Sequence, residues 1–170
     1  MHGRRLEAKL LPEWEAILPL WDDCHRFLSR HLPDRDAVQA LCMAVQELLE
    51  NAVKYGAFPP GDGTIELAVA VHEHAVAIQV CAPVTADGKD LRQLEEIIHR
   101  IRTSPSAEEA YVERLAELAL AATVGPPLPR ATGLGLLRIA YEGQCVLDYS
   151  LDASRGLAVS AVRHMETTQS

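Results

Sequence analysis

Two pairs of alternating apolar runs constrain this chain more than any other feature of its sequence. TIELAVAV (residues 64–71) and HAVAIQVCA (residues 74–82) place apolar residues at every second position, with a short polar link around His72, Glu73 and His74. A strand presents successive side chains to opposite faces, so each run builds a half-buried strand and the link builds a hairpin. CVLDYSL and GLAVSAVRH repeat the arrangement around a turn from Asp152 to Arg155. Two such hairpins predict a largely antiparallel sheet that buries one face, and the rest of the chain must supply the cover.

Helical spacing supplies it. From Glu13 to about Leu32, Trp14, Ile17, Leu18, Trp21, Phe27 and Leu28 recur along one side, with a kink expected at Pro19. Asp34 or Asp36 caps a second helix that runs to about Tyr55, where Gly56 offers a left-handed stop ahead of Pro59 and Pro60. Residues 90–102 read as a third helix. Ser106 with Glu109 has the form of a capping box opening a fourth, to about Thr123. Gly125 to Pro129 breaks the chain, and ATGLGLLRIAYEG is a glycine turn feeding a helix from about Gly133 to Glu142. The expected fold is an α/β (α+β) two-layer sandwich, a mostly antiparallel sheet with helices on one face. A chain of 170 residues, 48% hydrophobic, buries one sizeable core. Residues 1–33 are expected to form an N-terminal helix packed on, or dimerising, a domain at 34–170 that carries a helical insert at about 89–128.

A net charge of −8 and a pI near 5.3 argue against a nucleic-acid footprint or a basic membrane patch, and point to protein or small-molecule partners. The charged start MHGRRLEAKL lacks a signal-peptide pattern, and no apolar run is long enough to span a bilayer, so a soluble cytoplasmic protein is expected. Cys24, Cys42, Cys81 and Cys145 are scattered in apolar surroundings and read as core thiols rather than a disulfide framework. His72 and His74 share one side of a strand end. A metal could use that spacing, but the sequence places no third ligand, and a solvated hairpin tip is the simpler reading. Trp14 and Trp21 mark one side of the first helix, either core or a dimer seam.

The chemistry concentrates in ELLENAVKYG, residues 47–56. At about 100° per residue, Leu41, Val45, Leu48 and Ala52 form an apolar stripe, while Glu47, Asn51 and Lys54 cluster roughly a right angle away. Ala40 and Ala44 lie beside them with small side chains that leave room for a ligand, and Glu50 points to solvent. An amide oxygen is a hard ligand for Mg²⁺, an ammonium meets phosphate charge, and a carboxylate accepts a proton from an attacking hydroxyl or water. A Glu–Lys surface pair with a helix-end Asn is the structural alternative. Thr132, Gly133, Leu134 and Gly135 enter the last helix, where glycines let backbone approach an anion and first-turn amides point at it.

With these two motifs in this order, the sequence resembles the GHKL ATP-binding superfamily over about residues 34–163. ELLENAVKYG is similar to that superfamily's N-box and ATGLGLLRI to its second glycine box. The resemblance implies a histidine-kinase-like ATPase fold with Glu47 as general base, Asn51 as Mg²⁺ ligand, Lys54 as phosphate contact, and Thr132, Gly133, Leu134 and Gly135 holding the phosphates of ATP. Among subfamilies it is most similar to stand-alone anti-sigma-factor or switch kinases, which implies phosphorylation of Ser or Thr on a STAS-like partner. The first glycine box departs from the pattern. Cys81, Ala82 and Pro83 stand where the superfamily has its Asp-x-Gly, leaving Asp87 either as a displaced adenine contact or as part of a turn. The alternative reading is a catalytically inactive module of this fold that regulates by protein binding without ATP.

Overall fold

The computed structural model describes residues 4–59, 61, 63–84, 88–125, 132–152, 154 and 156–166. In chain order the elements are β1 (Arg4–Leu10), α1 (Ile17–His31), α2 (Arg35–Tyr55), β2 (Ile65–Val71), β3 (Ala75–Ala82), α3 (Lys89–Thr103), α4 (Ala107–Val124), α5 (Leu134–Tyr141), β4 (Cys145–Asp152) and β5 (Gly156–His164). The result is an α+β protein with five helices among the described residues and one five-stranded antiparallel sheet, ordered β1-β2-β3-β5-β4. No helix among these residues is long and apolar enough to cross a membrane.

Alternation decides which face is buried. Ile65, Leu67 and Val69 of β2 and Val76, Ile78 and Val80 of β3 point into the core, while Gln79 and Val146 on the opposite face are exposed. The helices cover the apolar face with Cys24 and Leu28 of α1, Leu41, Val45 and Leu49 of α2, and Leu137 and Ile139 of α5. Each fully buried Leu or Ile contributes roughly 1.5–3 kcal/mol of transfer free energy, which makes this layer the main source of stability.

Helix starts follow the capping chemistry. Asp34 Oδ1 accepts hydrogen bonds from the amides of Asp36 at 2.9 Å and Ala37 at 3.2 Å, fixing the first turn of α2. Ser106 Oγ accepts from the Glu109 amide at 3.1 Å and opens α4. The α3–α4 insert is tied down on both sides. Tyr149 donates to Glu95 at 2.9 Å, Arg102 reaches the Leu147 carbonyl at 3.2 Å, and Arg100 bridges to Glu117 at 3.0 Å.

Three expectations need correction. The N-terminal segment supplies a strand as well as a helix: β1 continues the buried face through Leu6↔Val69, Ala8↔Leu67 and Leu10↔Ile65. Arg5, Glu7 and Lys9 alternate with Leu6, Ala8 and Leu10, so the period-2 signal is present in the sequence, and such charges are common on an edge strand, where they discourage further pairing. The helix expected from Glu13 starts as a 3-10 turn at Trp14–Ala16 and becomes α-helical only at Ile17, so Pro19 falls within the first turn of α1. Gly56 is extended at φ −64° and ψ 144° rather than left-handed. Glycine is needed there because a Cβ would strike the Phe58 ring and lie 2.6 Å from the Ala52 carbonyl oxygen.

Candidate functional site

The C-terminal half of α2 forms one wall of a cavity of about 270 Å³, with β3 and β5 as its floor, α3 as the opposite wall and the start of α5 at its rim. Glu47, Asn51, Lys54, Thr132, Gly133 and Gly135 all line it. The four- and three-residue spacing along α2 puts the first three on adjacent turns of one face, and all three are half-buried. Folding thus joins two motifs that lie far apart in sequence.

The contact between them is close. A Cβ on Gly135 would lie 2.5 Å from Glu47 Oε2 and 3.7 Å from Asn51 Nδ2, so glycine is what lets the first turn of α5 approach α2. Gly133 serves a different purpose: it caps α5 in the left-handed region at φ 74°, and a Cβ there would meet the Ile97 side chain of α3. Thr132 is held by Arg114, whose Nε donates to the Thr132 carbonyl at 2.8 Å. Its own Oγ1 accepts from the Leu134 amide at 3.4 Å. Leu134 does not line the cavity as expected, because its side chain packs against the core.

Glu47 is the electrostatic centre of the site. Burial pushes its carboxyl above the usual carboxylate value, and the neighbouring Glu50 pushes the same way, against the opposing pull of the Arg138 guanidinium. Arg138 Nη1 lies 3.2 Å from Glu47 Oε1, while its Nε donates to Glu142 at 2.7 Å. Arg138 escaped the sequence reading. It stands three residues after Gly135 on α5, so the spacing of same-face residues held the signal. Lys54 Nζ sits 5.2 Å from the centre of the Tyr55 ring.

Other placements differ from the sequence reading. Glu50 is half-buried and lines the cavity, and its Oε1 accepts from Gln46 Nε2 at 2.8 Å rather than facing solvent. Ala44 is fully buried in the core, and neither it nor Ala40 lines the cavity, so neither makes room for a ligand there. Asp87 lies outside the described residues. Past Val80, the wall is formed by Ala82 and Val84, then by Asp90, Gln93, Leu94 and Ile97 on one face of α3. Trp14 also lines the cavity, 52% exposed, whereas Trp21 packs partly against the core and stacks on His25. His72 and His74 are exposed at the hairpin tip, and no metal-binding group of three His, Cys, Asp or Glu residues occurs among the described residues. All four cysteines are buried as free thiols, and burial pushes Cys24 up to about 12.

No family model matches the chain, and a search of the curated proteins returns no match. The chemistry of the cavity therefore has to be argued from its own residues. It combines three carboxylates, Glu47 with raised proton affinity and also Glu50 and Asp90, with an amide, an ammonium, a glycine-lined helix start and an apolar floor. With more carboxylates than ammonium groups in the lining, the set suits an amphipathic anion only when the anion is carried with a cation.

Proposed function

We propose that the chain is a cytoplasmic ATP-binding regulatory protein with the histidine-kinase-like ATPase fold of the GHKL superfamily. In this reading it acts as a Ser/Thr protein kinase of the anti-sigma or partner-switching type on a STAS-like protein. The observation that carries the proposal is the approach of Gly135 to Glu47 and Asn51, by which the second glycine motif and the α2 motif converge on one cavity.

The side chains present fit Mg²⁺ bound with a nucleotide. Mg²⁺ is usually held by one or two protein oxygens, with phosphates and water completing its shell, so a cluster of three acidic or histidine ligands is not required. The Asn51 amide oxygen is the hard donor that would hold it, and Lys54 and the α5 first turn would meet the phosphates. Held by Asn51, Mg²⁺ would supply charge neutralisation for the phosphates. Glu47 takes the proton of the Ser or Thr hydroxyl as its oxygen takes the γ-phosphoryl group and ADP leaves. Burial raises the proton affinity of Glu47, which suits that role, and Arg138 orients its carboxylate.

Two observations favour the second reading, a catalytically inactive module that works by protein binding. The cavity, at about 270 Å³, falls just below the roughly 300–1,000 Å³ typical of small-molecule sites. Glu47 is also already paired with Arg138. Calorimetric titration with a non-hydrolysable ATP analogue, with and without Mg²⁺, separates the two. Micromolar Mg²⁺-dependent binding that disappears in Asn51→Ala supports the kinase reading. No binding at millimolar analogue sinks it and leaves the module.

A further inference from the structure

We infer that the outward face of α4 docks a protein partner through an amphipathic helix whose apolar stripe is flanked by Lys or Arg. This interface goes beyond the nucleotide reading and does not depend on it.

Four of the nine exposed large hydrophobic residues among the described residues lie on this one helix: Val112 is 54% exposed, Leu115 40%, Leu120 66% and Val124 77%. Their positions are ordered. At about 100° per residue, Val112, Ala116, Ala119 and Thr123 fall on one line along the helix, with Leu115 on one side of it and Leu120 on the other. The opposite side does the packing. Ala110 and Leu118 are buried there, and Arg114 donates from Nε to the Thr132 carbonyl at 2.8 Å and from Nη1 to Glu117 at 3.0 Å. Exposed aliphatic side chains scattered singly are ordinary, whereas a continuous face of them on a helix already anchored by its other side marks a contact surface.

Charge selects the occupant. Glu108 and Glu109 continue the face at its N-terminal end and Glu113 borders it on the Leu120 side, and all three are exposed. Arg114 is the only basic residue of α4, and it is engaged on the packed side. Two copies of α4 laid together would set these carboxylates against one another or against aliphatic side chains, with no cation of the helix to meet them. An anionic lipid surface is repelled by the same charges. A helix with an apolar stripe between Lys or Arg residues meets both the aliphatic line and its acidic border. Glu108 and Glu109 also complement the dipole in the first turn of α4, but that role accounts for neither Glu113 nor the aliphatic face.

The test is fluorescence anisotropy on the full chain without nucleotide, using a labelled peptide of about 18 residues, five turns of helix, with Leu along one face and Lys on its flanks. A scrambled peptide of the same composition and a peptide with Glu in place of each Lys are the controls. The basic amphipathic peptide should bind at least about tenfold more tightly than either control. Leu115→Ala/Leu120→Ala truncates two anchors and should weaken that binding by about tenfold, and Glu113→Lys should shift preference toward the Glu peptide. These side chains are exposed, and circular dichroism checks that each variant is folded. The inference falls if the basic peptide does not bind, if either control binds as well, or if the double variant keeps the wild-type affinity. Light scattering and sedimentation with phosphatidylserine vesicles cover the other occupants. A dimer, or vesicle binding, that the double variant abolishes would give this face to a second copy or to a membrane and overturn the inference.

Discussion

From Ala37 to Val45, α2 buries Ala37, Val38, Leu41, Cys42, Ala44 and Val45, whereas from Glu47 to Lys54 the same helix holds Glu47, Glu50, Asn51 and Lys54 half-buried along a cavity. The first half is shaped by packing: its inner face lies in the core with α1 and the sheet, and its polar residues Asp36 and Gln39 are exposed. The second half keeps its inner stripe through Leu48 and Leu49 but turns its other face to a cavity among the described residues. Half-burying a carboxylate costs free energy unless it is compensated, and here Arg138 compensates only in part. A helix that accepts this cost over its last turns, after burying apolar residues in its first, is divided between packing the core and lining the cavity, which on the proposed reading is a division between stability and binding.

The sharpest way to break that division is to truncate one residue in each half. Leu41 is fully buried, so Leu41→Ala should cost about 2–5 kcal/mol in denaturant unfolding. Asn51→Ala should stay within about 0.5 kcal/mol of the wild type while losing Mg²⁺-dependent nucleotide binding. Equal destabilisation by both would make Asn51 a packing residue and erase the distinction.

The two glycines of α5 sharpen the comparison on the opposite rim. Gly133→Ala forces a side chain into the left-handed region and against Ile97, and should cost roughly 1–3 kcal/mol. At the packed end of α2, Asp34→Ala removes the cap of two amides and should cost about 1 kcal/mol without touching nucleotide affinity. Gly135→Ala sets a methyl against Glu47 Oε2, the far end of a flexible side chain that can swing away. Its stability cost should be under about 1 kcal/mol, yet it should abolish binding. Thermal melts paired with titrations of each variant check all three, and a Gly135→Ala protein that binds normally would show that the close approach has no part in the site.

Most of the fold was legible because it rests on local rules. Alternation gave the hairpins β2–β3 and β4–β5, and capping residues Asp34 and Ser106 gave the starts of α2 and α4 within a residue. The missed strand β1 shows the limit, since its apolar half is only Leu6, Ala8 and Leu10 and its partner β2 lies far along the chain. The site divides the same way. Glu47, Asn51, Lys54 and the glycine turn share motifs with fixed spacing, and they do converge on one cavity. Glu50, Asp90, Gln93 and Trp14 reach that cavity, and Arg138 reaches Glu47, through tertiary packing. Leu94, Ile97, Ile98 and Ile101 mark the inward face of α3 by their spacing, but that Asp90 and Gln93 beside it line the cavity depends on where the neighbouring elements sit.

Glu47→Gln tests the division of α2 at its weakest point. Because burial raises the folded-state pKa of Glu47, the protonated form is favoured in the fold. Its stabilising contribution is present in full below the ordinary carboxylate value of 4.5 and is lost as pH rises through the folded value. At neutral pH the ionised side chain is therefore a net cost, reduced by Arg138. Glutamine keeps the shape without the charge, so the variant should be more stable at pH 7 by a few tenths of a kcal/mol, with the gap closing as the solution is acidified. Phosphoryl transfer should be lost at the same time. Denaturant melts from acidic to neutral pH measure the gap. A variant less stable than the wild type at pH 7 would mean that the Arg138 pair outweighs desolvation, which would make Glu47 a structural residue joining α2 to α5 and move it from the binding half of the helix to the packing half.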